Sequence, residues 1–181
     1  MQMKDKTSAR KLAALLVLAT AITALGQTPQ PISEQTRFSR TSRIEHPVPV
    51  PPDVLKLLLN TSEGKEGLAR ASDLQKQNPG QMFRAAEVHL RGADEADLVI
   101  EGVAPMANRD HDWFWIVRPA GKRPRLVLFA GGNSLEVQDS RTNSYRDISS
   151  VWIYPNETLV TIYKFNGKKY VFKKVMNRKN P

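Results

Sequence analysis

Thr158-Leu-Val-Thr-Ile-Tyr-Lys-Phe-Asn-Gly-Lys-Lys-Tyr-Val-Phe-Lys-Lys-Val175 decides the fold class. Two runs rich in β-branched and aromatic residues flank Asn166-Gly167. That dipeptide is favoured in a two-residue type I′ hairpin loop, because both positions need positive φ. Such a loop predicts that Phe165 faces Lys168, Tyr163 faces Tyr170 and Thr161 faces Phe172. One face of the hairpin is then aromatic, while the other carries Val160, Ile162, Val171 and Val175 with Lys164, Lys169 and Lys173 interspersed. Tyr163 and Tyr170 read first as core residues and second as a ligand-stacking platform.

Upstream, the same alternation recurs between clusters of Gly, Asn, Asp and Pro. It predicts strands at Met82–Leu90, Leu98–Val103, Trp113–Val117, Arg125–Ala130, Ser134–Gln138 and Ser150–Tyr154, ahead of Thr158–Phe165 and Lys168–Val175. Before Gly80 the pattern is helical. Pro52-Asp53 opens a short helix through Leu59, with proline and aspartate in the first turn where both are favourable. A weaker helix runs from Glu66 to Gln77 and stops at Asn78-Pro79-Gly80. The expectation is an α+β fold, mainly β: an antiparallel sheet of about six to eight strands behind one or two short N-terminal helices.

The first residues read as an export signal. Lys4, Lys6, Arg10 and Lys11 precede an apolar run from Leu12 to Leu25, and small residues stand at Ala24 and Gly26. At ~1.5 Å per residue that run is roughly 21 Å long as a helix, short of the ~30 Å a membrane span needs. Residues 1–26 are therefore expected to be a cleaved signal peptide, 27–52 a Pro-rich flexible linker, 53–176 a single α+β domain and 177–181 a basic tail. The chain has no cysteine, which excludes disulfides and a cysteine-linked lipid anchor. A bacterial periplasmic or extracellular product without stable membrane insertion follows as the expectation. Beyond residue 26, 23 Lys and Arg stand against 17 Asp and Glu, a net charge of +6.

Chemistry is sparse. Neither a nucleophile elbow, a P-loop nor a dinucleotide fingerprint occurs, and no His or Cys set has zinc spacing. The only histidines are His46, His89 and His111. Asp110, His111 and Asp112, in a polar turn before a strand, are the least poor catalytic candidates; Ser134 would be a nucleophile only beside a base. No cofactor and no metal are expected.

The segment His89-Leu-Arg-Gly-Ala-Asp-Glu-Ala-Asp-Leu-Val-Ile100 resembles a degenerate copy of the calcium-loop segment of FG-GAP/VCBS-type β repeats. His89, Arg91 and Ala93 occupy ligand positions and only Asp97 fills its family place, so the resemblance implies a β-turn-β shape with the metal lost. Arg141-Thr-Asn-Ser-Tyr-Arg-Asp-Ile148, with Phe165-Asn-Gly-Lys-Lys-Tyr170 and Trp113-Phe-Trp115, is similar to a pattern in small exported bacterial β-domain proteins, mostly uncharacterised; Ser144 replaces the usual glycine. That resemblance marks Tyr145, Arg146 and Asp147 as ligand-binding candidates beside Tyr163 and Tyr170, with a structural role for Arg146 and Asp147 preferred.

The leading expectation is an exported, non-enzymatic binding or inhibitory module of the cell envelope. The alternatives are a hydrolase or hydrolase-accessory domain and a polyanion-binding surface protein. An envelope protein or an anionic envelope polymer is the expected partner, and nucleic acid is not, because an exported protein meets little of it.

Overall fold

Eight long strands alternate with short turns, and the computed structural model folds them into two antiparallel sheets. It describes residues 34–42, 44–107, 110–119 and 123–180. The expected signal peptide at 1–26 lies outside the described residues. The elements are β1 (Arg37–Ser39), α1 (Pro52–Leu59), α2 (Ser62–Arg70), α3 (Asp73–Gln77), a 3₁₀ turn (Pro79–Met82), β2 (Phe83–Gly92), β3 (Glu95–Gly102), β4 (Asp112–Arg118), β5 (Arg125–Gly132), β6 (Ser134–Thr142), β7 (Tyr145–Ile153), β8 (Glu157–Phe165) and β9 (Tyr170–Lys179). Sheet A has the order β1-β6-β7-β8-β9 and sheet B the order β2-β3-β4-β5. The mainly β, α+β expectation holds.

Strand periodicity sorts the side chains into two cores. Even-numbered positions of β4, such as Phe114 and Ile116, face sheet A and pack with Phe38, Val88, Leu135 and Ile148. Odd-numbered positions, such as Trp113 and Trp115, face the helices and pack with Val54, Leu58, Met82 and Ile100. The layers are therefore helices, sheet B, sheet A. Strand β4 is buried on both faces, which is why it reads as the continuous apolar run Trp113–Val117.

Val54 and Leu58 lie one turn apart on the buried face of α1. Thr61 caps α2 by accepting from the Gly64 amide at 3.0 Å. A Cβ on Gly64 would lie 2.0 Å from the Leu58 carbonyl oxygen, so glycine permits the close approach of α1 and α2. The helix expected over 66–77 is instead two. Ala71 is extended, and Ser72 with Gln75 forms a capping box that starts α3 afresh.

Three expectations are corrected. The stretch through Pro52 is not a free spacer over its described part. Strand β1 pairs with β6, Phe38 is fully buried, and the Val48 amide donates to the Ala85 carbonyl at 2.9 Å. Phe38 and Ile44 supply the apolar anchors that the many prolines obscure. The compact unit accordingly takes in β1 and the segment after it, well ahead of residue 53. At the other end β9 runs to Lys179, so Asn177–Lys179 belong to a strand rather than a tail.

The last hairpin has a different register. Phe165 pairs with Tyr170 and Tyr163 with Phe172. The Asn166 side chain accepts from the amides of Lys168 and Lys169, both at 3.0 Å, which spreads the turn over residues 166–169. Only Gly167 there has positive φ, at 97°. The two-residue shift keeps the aromatic face intact. A bulge between Ile162/Tyr163 on β8 and Phe172/Lys174 on β9 then moves Val175 onto that face, opposite Thr161. The two-residue loop with positive φ at both positions occurs instead at Asn143 (φ 52°) and Ser144 (φ 67°), between Thr142 and Tyr145.

Candidate functional site

Two places in the fold carry unspent chemistry: one open end of the sandwich and the edge hairpin β8–β9. At the open end, Asp112 begins β4 on the face that looks toward sheet A. Arg40, just past β1, reaches it with Nη2 at 2.7 Å and Nε at 3.0 Å from Oδ1, and the Arg40 amide donates to Oδ2 at 3.1 Å. The Asp112 side chain is only 3% exposed, so this fork is what makes an ionised carboxylate tolerable there. Glu101, on the same face of β3, is also buried. Burial first, and repulsion from Asp112 second, push its carboxyl up to about 7 against the pull of Arg84 and Arg40.

Two cavities flank the Arg40–Asp112 pair. One, of about 460 Å³, is lined by Glu101, Arg84 and the short residues Gly102, Val103, Ala104 and Ala107. The other, of about 270 Å³, is lined by Asp110, His111, Asn133 and Ser134 among others. The expected trio is thus split in its roles. Asp112 is held by Arg40, and Asp110 offers its backbone carbonyl to the Asn133 amide nitrogen at 3.0 Å. The His111 ring lies 4.8 Å from that of Trp152. Ser134 shares the smaller cavity, yet its buried Oγ makes no hydrogen bond, so no base activates it in this arrangement. Glu101, the acid that joins Asp112, was missed by the sequence reading. Its signal was a carboxylate two positions after Val99 on an otherwise apolar strand.

Tyr145, Arg146, Asp147, Tyr163 and Tyr170 gather toward the other end of β4. Arg146 is buried and donates to Gln138 O (2.9 Å), Glu34 Oε2 (2.7 Å), Asp139 Oδ1 (3.2 Å) and Val137 O (3.4 Å). Tyr170 donates its hydroxyl to the Arg146 carbonyl at 2.7 Å, and burial raises its pKa. Asp147 accepts from Ser140 Oγ at 2.8 Å and lies 3.6 Å from Lys164 Nζ, while its Oδ1 is buried without a partner. The Tyr145 ring stacks 3.9 Å from Phe165 under the Arg118 guanidinium, 4.8 Å away. Tyr163 is half-buried, its hydroxyl 3.5 Å from Ser150 Oγ.

Arg118 also pairs with Asp97 at 3.0 Å. Burial pushes the Asp97 carboxyl up, and the Arg118 bond offsets only part of that. These residues bond largely to one another, although Arg118 Nη2 and Asp147 Oδ1 stay buried without a partner among the described residues. Asp94 stands in the β2–β3 turn, and among the described residues no three His, Asp or Glu side chains form a metal-ligating group.

The hairpin β8–β9 is different in kind. Residues 33–156 contain 16 Lys and Arg against 16 Asp and Glu, whereas residues 157–181 contain seven Lys and Arg against one Glu. The whole +6 of the chain beyond the expected signal therefore belongs to its last hairpin. Lys168, Lys169, Lys173, Lys174, Arg178 and Lys179 are all exposed. Between them lie Val171, Phe172 and Val175, with Phe172 62% exposed. Among the described residues β9 is also an edge strand, unpaired on one side.

Among the described residues no helix is long and apolar enough to cross a membrane. Comparison with protein-family models, with curated proteins and with solved structures finds no match to this chain.

Proposed function

We propose that this chain is an exported, non-enzymatic binding module of the bacterial cell envelope, and that it docks an anionic envelope polymer along β8–β9. The observation that carries the reading is the charge partition: an electrically balanced body with every net positive charge on one edge hairpin. Edge lysines commonly protect a strand from pairing with another chain. Here they also surround exposed Phe172 and Val175, so one surface offers both cations and apolar contact. That combination suits a carboxylated or phosphorylated polymer, which is drawn in by charge and held by contact with its less polar parts. The sequence of residues 1–26 supports export. The hydrolase alternative receives less support, because Asp112 is committed to Arg40 and Ser134 has no base.

The reading is tested by measuring binding of the purified chain to alginate, a carboxylated polysaccharide, and to phosphatidylglycerol vesicles. Binding to alginate that weakens steeply with salt supports it. Binding to the vesicles alone would move the partner to a lipid surface and overturn the polymer assignment. Binding to neither would overturn the reading altogether.

A further inference from the structure

The larger cavity at the open end of the sandwich holds a pair of charges that the protein itself leaves apart. Arg84 on β2 and Glu101 on β3 are direct cross-strand partners. Opposite charges in that relationship ordinarily meet. Here both side chains line the cavity, Glu101 as a buried residue and Arg84 as an exposed one, and neither makes a hydrogen bond or ion pair with a described residue. Glu101 is only 2% exposed, and its side chain lines the cavity without a hydrogen bond from a described residue. The contrast with Asp97, two positions before Val99 on the same face of β3, is direct: that carboxylate is closed off by Arg118. Asp112 on β4 cannot serve as the missing partner, being a carboxylate already filled by Arg40.

We infer that this cavity binds a small zwitterion of the amino-acid class, its ammonium on the Glu101 carboxylate and its own carboxylate on the Arg84 guanidinium. The ammonium supplies the donors that Glu101 lacks, and the guanidinium offers a planar fork for a carboxylate. Gly102, Val103, Ala104 and Ala107 are short, leaving room for a compact ligand and little apolar wall for a large one. Two carboxylates beside two arginines make a poor metal site, since the cations compete with the ion. The site is independent of the hairpin proposed above as the polymer surface, so either can fail without the other.

Binding also has a pH signature. Glu101 faces Arg84 on β2, Asp112 on β4 and Arg40 from the segment after β1. Its carboxyl titrates near 7, so an ammonium must displace a proton below that pH. Affinity should rise by up to about tenfold per pH unit on approaching 7 from below, then level off.

The test is calorimetric titration of the purified chain with glycine, β-alanine and 4-aminobutyrate, a series that varies the separation of the two charges, with methylammonium and acetate as single-charge controls. At least one zwitterion should bind saturably at pH 8 and more tightly than either control. Glu101→Gln should cut its affinity tenfold or more and abolish the pH dependence. Arg84→Gln should cut the affinity similarly while leaving the pH dependence in place. Glu101→Gln keeps the shape of the side chain and removes only a buried charge, so a cooperative unfolding transition will show that it is folded. Failure of all three zwitterions to bind, binding no tighter than that of methylammonium, or affinity unchanged in both variants would each overturn the inference.

Discussion

Glu34 and Arg146 meet at 2.7 Å although 112 residues separate them in the chain. The same glutamate accepts from the backbone amide of His89 on β2. One carboxylate from the segment ahead of β1 therefore joins sheet B to sheet A, and Arg146 is the buried cation that holds it there.

Loss of that cation should be costly. Arg146→Ala would strand the Glu34 carboxylate and the Gln138 and Val137 carbonyls, and is expected to destabilise the fold by about 3–5 kcal/mol. Arg146→Lys should recover only part of this, because one ammonium cannot reproduce a fork that serves four acceptors. Urea unfolding at neutral pH measures both.

The segment around β1 behaves as core. Phe38 is fully buried between the sheets, so Phe38→Ala is expected to cost about 3–5 kcal/mol by the same measurement. A change of a few tenths would mean that the segment is the loose spacer its prolines suggest.

Ser144 occupies a left-handed position that glycine takes at no steric cost. Ser144→Gly should stabilise the chain by about 0.5–1 kcal/mol, read as a higher thermal midpoint, with its circular dichroism spectrum unchanged.

Glu101 gives stability a pH dependence of defined sign. Its folded pKa, about 7, lies above the ordinary value of 4.5. The stability linked to its proton is therefore fully present below about 4.5 and is lost as pH rises through 7. Glu101→Gln should match the parent near pH 4.5 and exceed it above pH 8 by an amount on the order of 3 kcal/mol at most. Paired denaturant curves across that range check the difference.

Strand positions were legible in the sequence because alternation and turn residues act locally. Trp113–Val117 and Thr158–Phe165 fall on β4 and β8 within a residue or two. The register of the last hairpin was not, because Asn166 uses its side chain to widen a turn that its dipeptide alone would make tight. The role of Arg146 was half-legible: it could be read as a tie between loop and sheet, while its partner Glu34 sat in what read as linker. Glu101 stayed hidden because its meaning comes from Asp112 and Arg84, which only the sheet register brings beside it. The charge partition, by contrast, lay open in the sequence and gained its meaning once β9 proved to be an edge strand.

The most direct test of the proposed binding surface compares two variants of equal net charge. One replaces Lys168, Lys169, Lys173 and Lys174 with glutamine; the other replaces Lys56, Lys65, Arg123 and Arg125, exposed cations elsewhere on the chain. Measured against alginate at a fixed salt concentration, the hairpin variant should lose binding by tenfold or more while the second stays within about twofold of the parent. Equal losses in the two would show that only total charge matters, and would contradict a binding surface at β8–β9.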